Sequence, residues 1–235
     1  IIDTYIGSDS HGYDDFIGST SNFDTYSMDV SLSGSILSVS IDTAFAGKGD
    51  DGLFSSYTTG GTGIGYGDLF LSSSWNPYGP APYTGDDHST GTLWTYGYSL
   101  DDRWMDENTA GTGTLYSLNS GNNDADILLA EDFMTGAIYR DGQEVAVDTV
   151  HGNITAIAGT SSWSIDAANN RVNFLIDLTG TNLLQGDEIA LHWGFTCAND
   201  VIEGAYAVPE PGMLGLLGIG LLGMVLPRRL RRKPN

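Results

Sequence analysis

The sequence predicts an all-β domain, a jelly-roll-like β-sandwich with long acidic and aromatic loops, followed by one short C-terminal transmembrane helix. Three observations support this prediction. Apolar and polar residues alternate with the period of two that is typical of half-buried strands. The chain contains 32 glycines, and Ser, Thr, Asn and Asp fill the gaps between apolar runs, as tight turns between short strands require. An uncharged apolar run, Gly212 to Leu226, lies near the C-terminus.

Alternation predicts three β-hairpins, whose strands lie within residues 26–45, 137–147 and 163–178. Each has a turn of residue types that tolerate the required backbone angles, at Gly34, at Asp141-Gly142 and at Asn169-Asn170. Shorter strands are predicted at residues 68–71, 93–100 and 115–118.

A final strand is predicted after Asp187, because five apolar residues share one of its faces: Ile189, Leu191, Trp193, Phe195 and Cys197. This pattern indicates a central core strand. It also makes Cys197 a packed thiol rather than a nucleophile. As the only cysteine, it forms no intramolecular disulfide, so packing, or a metal, must hold the fold.

The charge is strongly acidic, with a formal net charge of −21. Four basic residues precede the C-terminal segment: Lys48, Arg103, Arg140 and Arg171. Such a surface repels phosphate backbones, which excludes nucleic acid as a partner, and it attracts divalent cations. Calcium is therefore the one cofactor that the composition suggests.

Two acidic loops are candidate calcium sites, because calcium takes six to eight oxygen ligands and prefers carboxylates and carbonyls. The candidate ligands are Asp9, Asp14 and Asp15 in the first loop and Asp124 and Asp126 in the second. The second loop lacks the glycine and the glutamate spacing of an EF-hand. The alternative is that all five acids are solvated turn residues.

Residues 75–113 are predicted to form a long ordered loop around one aromatic strand. Surface domains often bind ligands through loops of this kind. Its tryptophans are candidates for stacking on sugar rings: Trp75, Trp94 and Trp104. The alternative is that they pack in the core or cap its open end.

No enzyme activity is predicted. The sequence has no Gly-x-Ser-x-Gly elbow and no His-Glu-x-x-His zinc motif. Its histidines are far apart, at His11, His88, His151 and His192. The acids are so numerous that a glycosidase pair could be drawn almost anywhere, so their presence carries no information.

The C-terminal segment, residues 208–235, divides into three parts and follows a predicted domain of residues 1–207. It begins with Val208, Pro209, Glu210 and Pro211, continues with the apolar run, and ends with Arg228, Arg229, Arg231, Arg232 and Lys233. A 15-residue helix reaches roughly 22 Å, against about 30 Å of hydrocarbon, which makes it marginal as a permanent anchor. The basic cluster holds its end in the cytoplasm and leaves the domain outside.

This segment resembles the PEP-CTERM sorting signal of Gram-negative, biofilm-forming bacteria. The resemblance implies an inner-membrane-anchored precursor, processing by an exosortase (a membrane-embedded cysteine protease), and release to the cell surface or extracellular matrix. The run from His192 to Gly204 is similar to the ending of many such exported domains, and Gly65 to Phe70 to another shared element. Because the chain opens with Ile1 rather than Met, we also expect that a signal peptide has been removed.

The expected function is therefore a structural or exopolysaccharide-associated surface protein that binds polysaccharide or its own copies. The alternatives are a carbohydrate-binding module and a glycoside hydrolase.

Overall fold

The computed structural model describes residues 1–4, 7, 15–105, 110–136 and 139–209. The predicted transmembrane helix and basic cluster lie outside this range, so both remain predictions. Within the described residues, no helix is long and apolar enough to cross a membrane.

Strands dominate the described chain, and the only α-helices found there have four residues each. The strands are β1 (Thr25–Ser33), β2 (Ile36–Thr43), β3 (Leu69–Ser72), β4 (Tyr96–Leu100), β5 (Ala110–Leu118), β6 (Ile127–Leu129), β7 (Glu144–Val147), β8 (Ile154–Ala156), β9 (Ser162–Asp166), β10 (Arg171–Asp177), β11 (Glu188–Gly194) and β12 (Val201–Ala207). The helices are α1 (Thr20–Phe23), α2 (Asn123–Asp126) and α3 (Ala130–Phe133). The prediction of an all-β fold is confirmed.

Ten strands form one antiparallel sheet, in the order β1-β2-β10-β9-β5-β4-β3-β11-β12 with β8 beside β5. The sheet curves until its two ends approach each other. The backbone N–H of Thr25, at the start of β1, donates a 2.7 Å hydrogen bond to the Asp200 carboxylate, which immediately precedes β12. The fold is thus a nearly closed barrel-like sheet.

Strand β5 explains why the sheet is continuous, where the sequence predicted the two facing sheets of a sandwich. Its first three residues pair with β9, and the rest pair with β4 and β8. Gly111 and Gly113 lack the side chains that would block this double pairing. A Cβ added at Gly111 would lie 2.5 Å from the Trp163 indole nitrogen, and one added at Gly113 would lie 2.3 Å from the Ser99 carbonyl oxygen, both too close for a real contact.

The hairpins β1–β2 and β9–β10 confirm two of the three predicted hairpins. Their turns use positive φ angles at Gly34 (62°) and Asn170 (54°). In the region of the third predicted hairpin, β7 pairs with β6, a pairing that the sequence did not predict, while residues 137–138 of the other predicted strand lie outside the described residues. Strand β7 is also held beside the start of β3 by Asp68, whose N–H donates to the Val145 carbonyl and whose carboxylate accepts from the Val147 N–H.

The core fills the inside of the barrel with aromatic side chains, including Trp163, Trp193 and Phe195. Strand β11 is a core strand, as predicted, but it lies between β3 and β12 next to one end of the strand order, and both of its faces are buried. Its outer face is covered by β7 and by the Trp94 loop, which enclose Ala190 in a second apolar cluster. Cys197 is buried as expected, and burial raises the pKa of its thiol to about 12.

Candidate functional site

The predicted sorting segment begins where the chain leaves the barrel. The N–H of Val208 donates to the Asp187 carbonyl at 2.9 Å, one residue after β12 ends. Val208 is half-buried and Pro209 is exposed. The segment therefore emerges at the protein surface, while Glu210 and Pro211 lie outside the described residues.

Three carboxylates meet beside the gap between β1 and β12. Asp3, Asp15 and Asp200 each offer an oxygen, and these oxygens lie within 4.8 Å of one another. Within the described chain, no other group of acids, histidines or cysteines meets this criterion. Asp200 is 1% exposed, so this acid cluster reaches from the surface into the interior.

Several polar atoms around the acid cluster are buried without a hydrogen-bond partner in the described part of the chain. They are one carboxylate oxygen each of Asp3, Asp15 and Asp200. The second oxygen of Asp200 accepts from the Thr25 N–H. Since buried polar groups are nearly always hydrogen-bonded, three such carboxylates in one cluster need an explanation.

The carboxylates raise one another's proton affinity. Burial, followed by the charges of Asp200 and Asp15, raises the pKa of Asp3 to about 10. Burial also raises the pKa of Asp200 well above its usual value. Arg140 provides one nearby positive charge and donates to the backbone carbonyls of Asp15 (2.7 Å) and Ala198 (3.3 Å).

Three remote segments bring these acids together. The N–H of Asp3 donates to the Tyr26 carbonyl of β1 at 3.3 Å, and the N–H of Ile17 donates to the Asn199 carbonyl at 2.7 Å. Of the acids predicted as metal ligands, only Asp15 belongs to the cluster; Asp9 and Asp14 lie outside the described residues. The sequence reasoning missed Asp3 and Asp200, because no local spacing connects them.

The second predicted metal loop is organised differently. The Asp126 carboxylate is 1% exposed and accepts from Ser120 N–H and Oγ and from Asn153 N–H. Asp124 is exposed and lies 2.8 Å from the Nε2 of His88. These contacts assign Asp126 to holding its own loop, and neither acid joins the acid cluster.

A second ionisable group is buried under the outer face of β11. His192 is fully buried, with Nε2 2.7 Å from the Glu144 carbonyl oxygen and Nδ1 2.7 Å from the Glu203 carboxylate. Because a carbonyl only accepts, Nε2 carries a proton. Burial lowers the pKa of His192, but the hydrogen bond and charge of Glu203 outweigh it, and the net direction is upward. We call His192, Glu203, Glu144 and Asp86 the buried polar network.

Two acids of the buried polar network have strongly perturbed pKa values. Burial raises the pKa of Glu144 to about 7, although one of its oxygens accepts from Asn123 Nδ2 (2.7 Å) and Trp94 Nε1 (3.1 Å). Burial and the charge of Glu203 raise the pKa of Asp86 to about 7. The sequence contained one sign of this network, because His192 and Glu203 are polar residues within apolar strands. The structure shows that they are direct cross-strand partners.

The three predicted sugar-binding tryptophans do not form one surface. Trp94 is 2% exposed and its indole N–H is bound to Glu144, so it is not available for stacking on a ligand. Trp104 is half-buried and donates to the Gly63 carbonyl at 3.1 Å. Trp75 is also half-buried, and it faces Tyr83 with ring centroids 5.4 Å apart.

The two segments that resemble shared elements of exported domains lie side by side. The N–H of Gly67 donates to the Gly194 carbonyl at 2.9 Å, and Tyr66 forms an isolated bridge with Phe195. Their relationship is therefore structural: together they form the wall of the barrel around β3 and β11.

A comparison with known families matches residues 207–232 to the PEP-CTERM protein-sorting motif. Neither curated proteins nor solved structures give a match to the chain.

Proposed function

The chain is a PEP-CTERM protein, and from this premise we propose that residues 1–207 act as a structural component of the cell surface or extracellular matrix, associated with exopolysaccharide. The motif indicates an exported protein that an exosortase recognises. The observation that carries the proposal is the position of the motif. It begins at residue 207, where β12 ends, so cleavage within it releases the barrel with every described strand intact.

A structural role also agrees with the enclosure of the ionisable groups. His192 and Glu203 are at most 3% exposed, and both are engaged in hydrogen bonds within the protein. A catalytic pair must reach its substrate, so this arrangement supports a stabilising role for the buried polar network.

The test is cell fractionation of an exosortase-bearing host and of the same host without exosortase. The released barrel, without the C-terminal segment, is expected in the surface and exopolysaccharide fractions of the first host, and the full chain is expected in the inner membrane of the second. Retention in the inner membrane of both hosts would refute the proposal. Release of the protein into the medium without any exopolysaccharide-bound fraction would contradict the proposed association with exopolysaccharide.

A carbohydrate-binding module is the second candidate, because Trp75 and Tyr83 line a surface pocket with Ala205. If this pocket binds sugar, exopolysaccharide should quench tryptophan fluorescence in the wild type and not in a Tyr83→Ala variant. Tyr78→Ala is the matched control, since Tyr78 is 54% exposed in the same loop and does not line the pocket. Equal quenching in all three proteins would exclude the pocket.

A further inference from the structure

We propose that Asp3, Asp15 and Asp200 bind one calcium ion, which links the two ends of the barrel-like sheet. The geometry fits such an ion. Calcium binds carboxylate oxygens at about 2.3–2.6 Å, so two oxygens on opposite sides of one ion are roughly 4.6–5.2 Å apart. The oxygens of the acid cluster lie within 4.8 Å of one another, which matches ligands of a single ion.

The unpartnered atoms are the independent observation that points to a ligand. Asp200 is 1% exposed, and the oxygen that does not accept from Thr25 has no partner in the described chain. Asp3 and Asp15 each also have one buried oxygen without a hydrogen-bond partner in the described chain. A cation bound among the three carboxylates gives all three acids a positive partner at once, which a hydrogen-bond donor from one direction cannot do.

Charge selects the class of ligand. In the ionised form that binds a cation, the three carboxylates carry three negative charges, while the positive charge of Arg140 and the negative charge of Asp24 act on Asp200. A divalent cation offsets the remaining excess. Since the three side chains offer only oxygen atoms, they favour calcium or magnesium over zinc. Calcium takes six to eight ligands, so water molecules would complete its coordination beside the half-buried Asp3 and Asp15.

The position of the site gives the ion a structural consequence. Asp3 is on the segment that pairs with β1, Asp15 is on the segment bonded to Asn199, and Asp200 immediately precedes β12. In the described chain, the Thr25–Asp200 hydrogen bond links the strand ends beside this site. Calcium bound there adds a second link between the ends of the sheet, and it makes folding sensitive to the calcium concentration outside the cell.

The test is calcium binding and thermal unfolding of the full chain after treatment with EDTA. Isothermal titration with calcium chloride is expected to show one site. At one hundred times the dissociation constant, calcium is expected to raise Tm by about 5–10 °C, because a ligand bound only to the folded chain stabilises it by mass action. Magnesium is expected to bind at least about tenfold more weakly, since it demands a stricter geometry.

Two variants separate the site from general effects of charge. Asp200→Asn retains an oxygen that can accept from Thr25, and Asp15→Asn removes a half-buried charge; each is expected to weaken calcium binding at least about tenfold. Without calcium, Asp15→Asn is expected to melt at or above the wild-type Tm, because one repelling carboxylate is gone. Asp124→Asn, which alters an exposed acid outside the cluster, is the matched control and is expected to bind as the wild type does.

Three results would overturn the proposal. The first is a wild-type chain that binds no calcium at millimolar concentration. The second is a calcium-induced rise in Tm that persists in both Asp15→Asn and Asp200→Asn. The third is a loss of calcium binding in Asp124→Asn as large as that in the two cluster variants, which would show that binding depends on net charge rather than on this site.

Discussion

The pH dependence of stability should change sharply when Glu144 is replaced by Gln. This carboxyl is fully buried, and its pKa rises from 4.5 to about 7. The folded chain therefore binds more protons than the unfolded chain between these values, so the free energy of unfolding falls as pH rises through this window. At about 1.36 kcal/mol per pKa unit, ionisation of Glu144 costs about 3 kcal/mol once the pH is above 7.

Gln removes the charge and retains an oxygen for the two hydrogen bonds from Asn123 and Trp94. Urea unfolding of both proteins at pH 5 and pH 8, at a fixed calcium concentration, measures the effect; the isoelectric point of about 4.1 makes more acidic conditions unsuitable. The stability of the variant relative to the wild type is expected to rise by about 2–3 kcal/mol between pH 5 and pH 8. Any constant cost of the altered shape cancels in this difference.

The other ionisable groups of the buried polar network, His192, Glu203 and Asp86, remain in both proteins; because their charges act on Glu144, the measured difference includes this coupling. Asp187→Asn, which removes one negative charge at an exposed position, is the control for the general effect of net charge. A Glu144→Gln variant whose relative stability is the same at both pH values would refute the assignment of a buried, proton-binding carboxyl.

Two further predictions concern packing. Gly67→Ala should lower the free energy of unfolding by about 1–3 kcal/mol in chemical denaturation, because the new Cβ would lie 2.5 Å from the Gly194 carbonyl oxygen; an unchanged midpoint would contradict that close approach. Cys197 should react with a thiol reagent only after unfolding, since it is fully buried and burial raises its pKa to about 12; rapid labelling of the native chain would contradict its placement in the core.

Local patterns predicted the elements whose structure depends on local residues. Alternation identified β1, β2, β9, β10 and β11, and turn residues identified Gly34 and Asn170. The closure of the sheet was not predictable in this way, because it depends on β5 pairing with β9 at one end and β4 at the other. The β6–β7 pair was missed for a similar reason, since β7 is positioned by contacts to remote residues such as the hydrogen bond from the Val147 N–H to Asp68.

The acid cluster shows more clearly what local sequence patterns cannot predict. Asp15 was a candidate ligand because it lies in an acidic loop, whereas Asp3 and Asp200 are separated by almost the whole chain. Only the approach of β12 to β1 brings them together, and this is a property of the closed sheet. Asp124 and Asp126 were also candidate ligands from their loop; in the structure their carboxylates contact Ser120, Asn153 and His88, and neither belongs to the acid cluster.

The central claim is that the C-terminal segment is a sorting signal removed from an exported barrel. Mass spectrometry of the surface-exposed protein from an exosortase-bearing host tests it most directly. The account predicts a C-terminus between Pro209 and Gly212, beside the exposed end of the described chain. Surface-exposed protein that still ends at Asn235 would contradict it.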